Sequence, residues 1–191
     1  MKEFFKLVGI LTVICATAGL LLAVVQRATK EPIEAAGRAE RLDAIKRVLP
    51  PYDNEPDRNS VTVEGPHGNP WTFYVARRDG AFPVAAFDTA SWQGYGGAIV
   101  VMVGVSADDQ VHAIEILKAK ETPGLGAKIA DPEFKSQFAG RDIQTTTWAV
   151  KKDQGDIDQI TAATISSRAV VSAVEKALKV YQENKGRIQG S

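Results

Sequence analysis

Gly94-Tyr95-Gly96-Gly97-Ala98-Ile99-Val100-Val101-Met102-Val103-Gly104-Val105 leads through Ser106-Ala107-Asp108-Asp109-Gln110 into Val111-His112-Ala113-Ile114-Glu115-Ile116-Leu117-Lys118-Ala119. Residues 98 to 105 are apolar without interruption, the composition of a strand buried in the centre of a sheet. The Ala107-Asp108-Asp109-Gln110 segment is turn chemistry, and residues 111 to 119 read as the next strand. Two such runs across a short polar turn predict a hairpin at the core of an antiparallel sheet. His112 falls in the second strand, at the sheet surface.

Upstream, further strands are expected. Val61 and Val63 alternate with Thr62 and Glu64, and Gly65-Pro66-His67-Gly68-Asn69 is a turn that leaves His67 in solvent. Residues 71 to 76 are aromatic and β-branched. Arg78-Asp79-Gly80 turns the chain into a short strand over residues 82 to 87.

At the N-terminus, residues 7 to 25 (LVGILTVICATAGLLLAVV) contain no charge. That is long enough to cross a bilayer core as a helix. The sequence after it, Val24-Val25-Gln26-Arg27, lacks the small-x-small pattern of a cleaved signal peptide. Cys15 is one more apolar side chain within the span. Lys2 and Lys6 before the span balance Arg27 and Lys30 after it, so charge alone leaves the orientation open. A second, amphipathic helix is expected from about residue 30 to 48. Pro32 would sit in its first turn, and Pro50-Pro51 would stop it.

Downstream, Glu121-Thr122-Pro123-Gly124-Leu125-Gly126 is a loop by composition, and its glycines allow a flat ligand to approach the backbone. It matches neither a P-loop nor a dinucleotide fingerprint. Asp131-Pro132-Glu133 opens a short helix to Phe138, with Phe134 and Phe138 on one face. Thr145 to Val150 reads as a strand. The last helix is expected from Ala169 to about Asn184, ended by Gly186, with Val170, Val171, Val174, Ala177, Leu178 and Tyr181 as its apolar stripe.

Asp158-Gln159-Ile160-Thr161-Ala162-Ala163-Thr164-Ile165-Ser166-Ser167-Arg168 stands at the mouth of that helix. Hydroxyl side chains there suit a helix cap. Unpartnered first-turn amides and the positive end of the helix dipole also suit an anion such as phosphate. Spacing alone leaves both readings open.

Whole-chain numbers narrow the function. The 191 residues hold 23 Lys+Arg and 23 Asp+Glu, and no basic stripe suggests nucleic acid. One cysteine excludes an internal disulfide and a multi-cysteine metal or iron–sulfur site. Two widely separated histidines give no metal-ligand spacing. No nucleophile–base pair suggests hydrolysis. The fold class is therefore α+β: an N-terminal transmembrane anchor (1–27), an amphipathic linker helix (28–51) and an antiparallel-sheet domain flanked by helices (52–191).

Asp158-x-x-Thr161-Ala162-Ala163-Thr164 resembles the acceptor motif for covalent flavin attachment in the FMN-binding domain family. Gly normally stands where this chain has Ala162. The ETPGLG block at 121–126, the Gly94-Tyr95-Gly96-Gly97 run, the single N-terminal span and the Thr164-Ile165-Ser166-Ser167-Arg168-Ala169-Val170-Val171 continuation are similar to the G-subunit family of Rnf electron-transport complexes. The resemblance covers nearly the whole chain. The C subunits of the sodium-pumping NADH:quinone reductase are close cousins and usually longer, with an anchored module lacking flavin as a further alternative.

The resemblance implies a flavoprotein component of a membrane complex that relays electrons between ferredoxin and NAD while moving Na⁺ or H⁺. It would not be catalytic alone, and most of the chain would lie on the extracytoplasmic side of the inner membrane. A flavin transferase would join FMN through its phosphate to Thr164 Oγ. Amides of Ile165, Ser166 and Ser167 and hydroxyls of Thr161 and Ser166 would meet the phosphate beside Ala162 and Ala163, with Arg168 as a further contact. Gly124, Leu125 and Gly126 would form a platform for the ring, Glu121 and Thr122 would hydrogen-bond its edge, and Tyr95 and Trp148 are stacking candidates.

Overall fold

The computed structural model describes residues 1–65, 69–78 and 84–189. The expected turn around His67, the Asp79-Gly80 turn and the start of the strand at Phe82 lie outside the described residues. The chain forms two compact units, Met1–Glu40 and Arg41–Ser191.

Helix α1 spans Lys2–Val48. The sequence suggested two helices with Pro32 opening the second; instead one helix runs through Pro32. Proline's missing amide leaves the Ala28 carbonyl without its intrahelical donor, and good helix formers on both sides carry the helix on. Its N-terminal part is exposed, with a mean hydropathy of 2.6 over the most apolar stretch. It is long and apolar enough to cross a membrane.

The second unit is built on a five-stranded antiparallel meander in the order β1-β2-β3-β4-β5. The strands are β1 Ser60–Glu64, β2 Pro70–Ala76, β3 Val84–Gly94, β4 Gly97–Val105 and β5 Val111–Lys118. The predicted hairpin is β4–β5, with Val103 opposite Ile114. β3 runs seven residues past Phe87 and turns into β4 at Tyr95-Gly96.

The composition of β4 has a direct cause: both of its faces are covered. Ile99, Val101, Val103 and Val105 point with Phe73 and Phe87 into the larger core. Helix α3 (Thr164–Gln189) fills that core with Val170, Val174, Ala177, Leu178 and Tyr181. The Phe87 and Tyr181 rings stack at 6.0 Å and 4°. Met102 faces the other way, among Tyr74, Ala76 and Ala86, under Ala44, Ile45, Val48 and Leu49 from the end of α1 and the residue after it. His112 is exposed on β5, as expected.

Three further elements differ from the sequence reading. Residues 145–149 form no strand, and Val150 makes only an isolated bridge to Ile157. The Asp142 carboxylate captures the amides of Gln144 and Thr145 at 2.7 and 2.8 Å and the Thr145 hydroxyl at 2.8 Å. This side-chain-to-backbone turn, together with the Thr147 amide bonded to Asp156 at 2.7 Å, keeps a β-prone Thr run out of the ladder. The short helix α2 covers only Pro132–Lys135 and tightens into a 3-10 turn at Ser136–Phe138. Phe134 and Phe138 still meet edge-on at 5.5 Å.

Helix α3 starts five residues before Ala169 and passes through Gly186. Its start is set by Ser167, whose hydroxyl donates to Ala163 O at 3.1 Å and accepts the Ile160 amide at 3.0 Å. Its end is held by Ile188, 1% exposed in the core, which outweighs the weak helix preference of one glycine.

Candidate functional site

The start of α3, the loop after β5 and the β3–β4 turn converge on one pocket of about 510 Å³. It is lined by Tyr95, Glu121, Thr122, Leu125, Gly126, Ala162, Ala163, Thr164, Ile165 and Ser166. The size falls in the range of small-molecule and cofactor sites. Segments far apart in sequence thus share one wall.

Four hydroxyls lie between Thr161 and Ser167, and the fold gives each a different fate. Thr161 faces a second, smaller groove with Asp158, Gln159, Phe134 and Gln137. Ser166 is 2% exposed and donates to Glu121 Oε2 at 2.6 Å. Ser167 is buried and engaged with Ala163 and Ile160. Thr164 is partly exposed, lines the pocket and is the first residue of α3. It stands among the first-turn amides, which have no intrahelical carbonyl to bond.

Several expected roles are corrected. The Ser167 amide donates to Ala163 O at 3.1 Å, so the amides left for an anion are those before it. The Ser166 hydroxyl is held by Glu121 rather than offered to a phosphate. Glu121 lines the pocket, but its carboxylate accepts from Ser166 and from the Gly96 amide at 3.1 Å rather than standing free. Gly124 lies outside the pocket lining and serves the turn instead, at φ +75°.

Arg168 points away from the pocket, bonded twice to Asp153 at 2.6 and 2.7 Å. That hydrogen bond holds the Asp153 carboxyl below its usual range and raises the guanidinium. Asp158 pairs with Lys151 at 2.8 Å in the second groove. Trp148 packs on Phe138 at 6.3 Å and 28°, as a core side chain. Tyr95 is at the pocket and 73% exposed, open to a flat partner.

Ala162 has φ +61°, the left-handed region that favours glycine. The turn it makes brings Ala163 and Thr164 to the pocket. The platform glycine Gly126 has its own reason: a Cβ there would lie 2.6 Å from both Glu121 Oε2 and Ser166 Oγ.

The residues present fit a phosphorylated, flat cofactor. An open hydroxyl and unpartnered amides stand at a helix start, and Tyr95, Leu125 and Ile165 offer apolar surface on the same pocket. Among the described residues no cluster of His, Cys, Asp or Glu could hold a metal.

Comparison with known proteins agrees with this arrangement. Residues 94–179, which contain every pocket residue, match the FMN-binding domain model. The chain is 38% identical over 179 residues to the G subunit of the ion-translocating oxidoreductase complex of Pseudomonas aeruginosa, covering 88% of this chain and 84% of that one. It is 33% identical over 189 residues to the protein of the same name from Cereibacter sphaeroides, covering 95% and 84%.

Among solved structures, the C subunit of the Na⁺-translocating NADH-quinone reductase of Parabacteroides distasonis superposes with a TM-score of 0.50 at 26% identity, covering 60% of this chain and 62% of that chain. Shewanella oneidensis NqrC gives 0.53 at 20% identity over 69% and 70%, a likeness of fold. The chain belongs to the family of ion-translocating oxidoreductase complex G subunits and carries their FMN-binding domain.

Proposed function

We propose that the chain carries FMN in the pocket beneath Tyr95, joined through its phosphate to Thr164 Oγ. The observation that carries this is the fate of the four hydroxyls: only Thr164 is both on the pocket and outside a hydrogen bond that fixes it. The phosphodiester keeps one negative charge, which the Ile165 and Ser166 amides and the α3 dipole stabilise. Glu121, Thr122, Leu125, Gly126 and Tyr95 form the wall for the ring, with Ala162 and Ala163 small enough to let it approach. FMN supplies the one- and two-electron chemistry, and the protein's part is to hold it and to exclude or admit partners.

Covalent attachment suits a relay, because the carrier cannot be lost between turnovers. The chain would serve as the G-type subunit of an Rnf complex passing electrons between ferredoxin and NAD, coupled to Na⁺ or H⁺ movement. α1 would anchor it in the inner membrane, with residues 52–191 on the extracytoplasmic side. Its partners are the other members of the complex and, during maturation, a flavin transferase that uses Thr164 as acceptor.

The test is a denaturing gel viewed under ultraviolet light, with the full chain made beside a flavin transferase. A fluorescent wild-type band, a mass gain of FMN less water and a dark Thr164→Ala band support the reading. A dark wild-type band at the unmodified mass overturns it.

A further inference from the structure

Glu121 is 8% exposed, yet it forms no ion pair among the described residues. A buried carboxylate without a cation is costly unless its oxygens are hydrogen-bonded. Each oxygen here has one donor, and each donor comes from a different wall of the pocket. Oε1 accepts the Gly96 amide at 3.1 Å, next to Tyr95 on the β3–β4 turn. Oε2 accepts the Ser166 hydroxyl at 2.6 Å, in the first turn of α3.

The surrounding glycines keep room for this carboxylate. A Cβ on Gly94 would stand 2.7 Å from Oε1, and one on Gly126 would stand 2.6 Å from Oε2. A Cβ on Gly96 would collide with the Lys120 carbonyl, in the peptide that leads into Glu121. Three of the glycines around the pocket are thus packed against Glu121 or its backbone. The roles first expected of this block were to offer a ring platform and a hydrogen bond to the ring edge. The geometry gives its acidic residue a different one.

We propose that Glu121 is a positioning residue that clamps the Tyr95 turn onto the start of α3, and that its charge, held on the pocket wall, lowers the reduction potential of the bound flavin. The clamp explains two features at once. It engages the Ser166 hydroxyl within the pocket wall, and it ties the turn that carries Tyr95 to the helix start that carries Thr164, both on the same pocket. The charge follows from chemistry: reducing a flavin adds electron density to the ring. A nearby carboxylate with no cation disfavours that change, and neutralising it favours it.

The potential part of the inference rests on the flavin reading above; the clamp part does not. The experiment therefore has two arms on the full chain. In the flavin-free Thr164→Ala background, hydrogen exchange is followed at the peptide covering residues 94–97. Adding Glu121→Ala is expected to raise the exchange of the Gly96 amide at least tenfold, with peptides of β4 and β5 unchanged. Unchanged exchange at Gly96 overturns the clamp.

In the flavin-loaded chain, the midpoint potential is measured spectroelectrochemically for wild type, Glu121→Gln and Ser166→Ala. Glu121→Gln keeps the shape and removes the charge. It is expected to raise the potential by ~30 mV or more, which is tenfold in a two-electron equilibrium. Ser166→Ala keeps the charge and is expected to lie closer to wild type than to Glu121→Gln. A Glu121→Gln potential equal to wild type, or a Ser166→Ala shift as large as that of Glu121→Gln, overturns the charge role. A wild-type chain that takes no flavin defeats the flavin reading and the charge role together, and leaves the clamp to be decided by exchange.

Discussion

Arg168 and Asp153 form a two-pronged pair, Nε to Oδ2 at 2.6 Å and Nη2 to Oδ1 at 2.7 Å, on the side of α3 away from the pocket. The one guanidinium in the motif region is therefore spent on the 3-10 turn at Lys151–Asp153. An anion at Thr164 would meet the first-turn amides and the helix dipole rather than this guanidinium.

Arg168→Gln is accordingly expected to leave flavin attachment at the wild-type level, read as in-gel fluorescence per mole of chain. The same variant should alter acid stability. The Arg168 hydrogen bond holds Asp153 below its usual value of 3.8, so its contribution is present above that pH. It is lost as pH falls through the lowered folded value. Wild type should lose this increment below about pH 4, whereas Arg168→Gln should lack it throughout, and the two acid-unfolding curves should converge at the lowest pH. Because the pair is exposed, added salt should shrink the difference.

Ala162→Gly is expected to stabilise the chain. A side chain in the left-handed region costs roughly 1–2 kcal/mol, and glycine gives back up to about 1 kcal/mol through its freer unfolded state. The net gain should be about 0.5–1 kcal/mol, a rise of roughly 1–4 °C in the melting midpoint for a unit of this size. Flavin loading should be at least that of wild type. A fall in midpoint would show that the φ of +61° is not strained.

Gly96→Ala should be destabilising, because the added carbon has no room beside the backbone carbonyl of Lys120. Backbone cannot swing aside as a flexible side chain can. A loss of about 1–3 kcal/mol is expected in denaturant unfolding. Gly186→Ala is the control: nothing lies within 4 Å of its added carbon. In a helix interior it should gain about 0.5–1 kcal/mol.

Tyr181 separates packing from polarity. Its ring stacks on Phe87 and lies 6.3 Å from Phe73, and its buried hydroxyl, with Asp109 nearby, makes no hydrogen bond of ordinary geometry among the described residues. Burial, and then the nearby Asp109 charge, push the phenol well above its usual range. Tyr181→Phe should change stability by less than about 1 kcal/mol, since an unpaired buried hydroxyl contributes little. Tyr181→Ala should cost about 3–5 kcal/mol by opening a large cavity. Equal losses in the two variants would show that the hydroxyl, not the ring, matters.

Much of the fold was legible because its signals are local. An unbroken apolar run marks β4, and the apolar stripe of α3 repeats at helical spacing. Boundaries were less legible where distant contacts outvote local preference. Pro32 did not begin a helix and Gly186 did not end one, because continuous good formers in one case and the burial of Ile188 in the other override a single residue. Residues 145–149 failed as a strand because their amides are taken one by one by other acceptors: Thr145 by Asp142, Thr147 by Asp156 and Ala149 by the Thr147 carbonyl.

The candidate site divides the same way. The hydroxyl-rich start of α3 and the glycine-rich 121–126 loop could be picked out by residue type and motif. Ten of the fifteen residues named for the site line one pocket, while Gly124, Trp148, Thr161, Ser167 and Arg168 do not. No local pattern could assign the individual hydroxyls. Which of them is free depends on Glu121, 45 residues from Ser166 and 25 from Gly96. The sequence by itself determined a long apolar helix, a sheet with a doubly buried strand and a helix start rich in hydroxyls, since periodicity and composition are properties of neighbouring residues. Only the tertiary structure decided that Thr164 faces the pocket, that Arg168 turns away and that a buried carboxylate joins the two walls, because hydrogen bonds and burial depend on which distant residues the fold brings into contact.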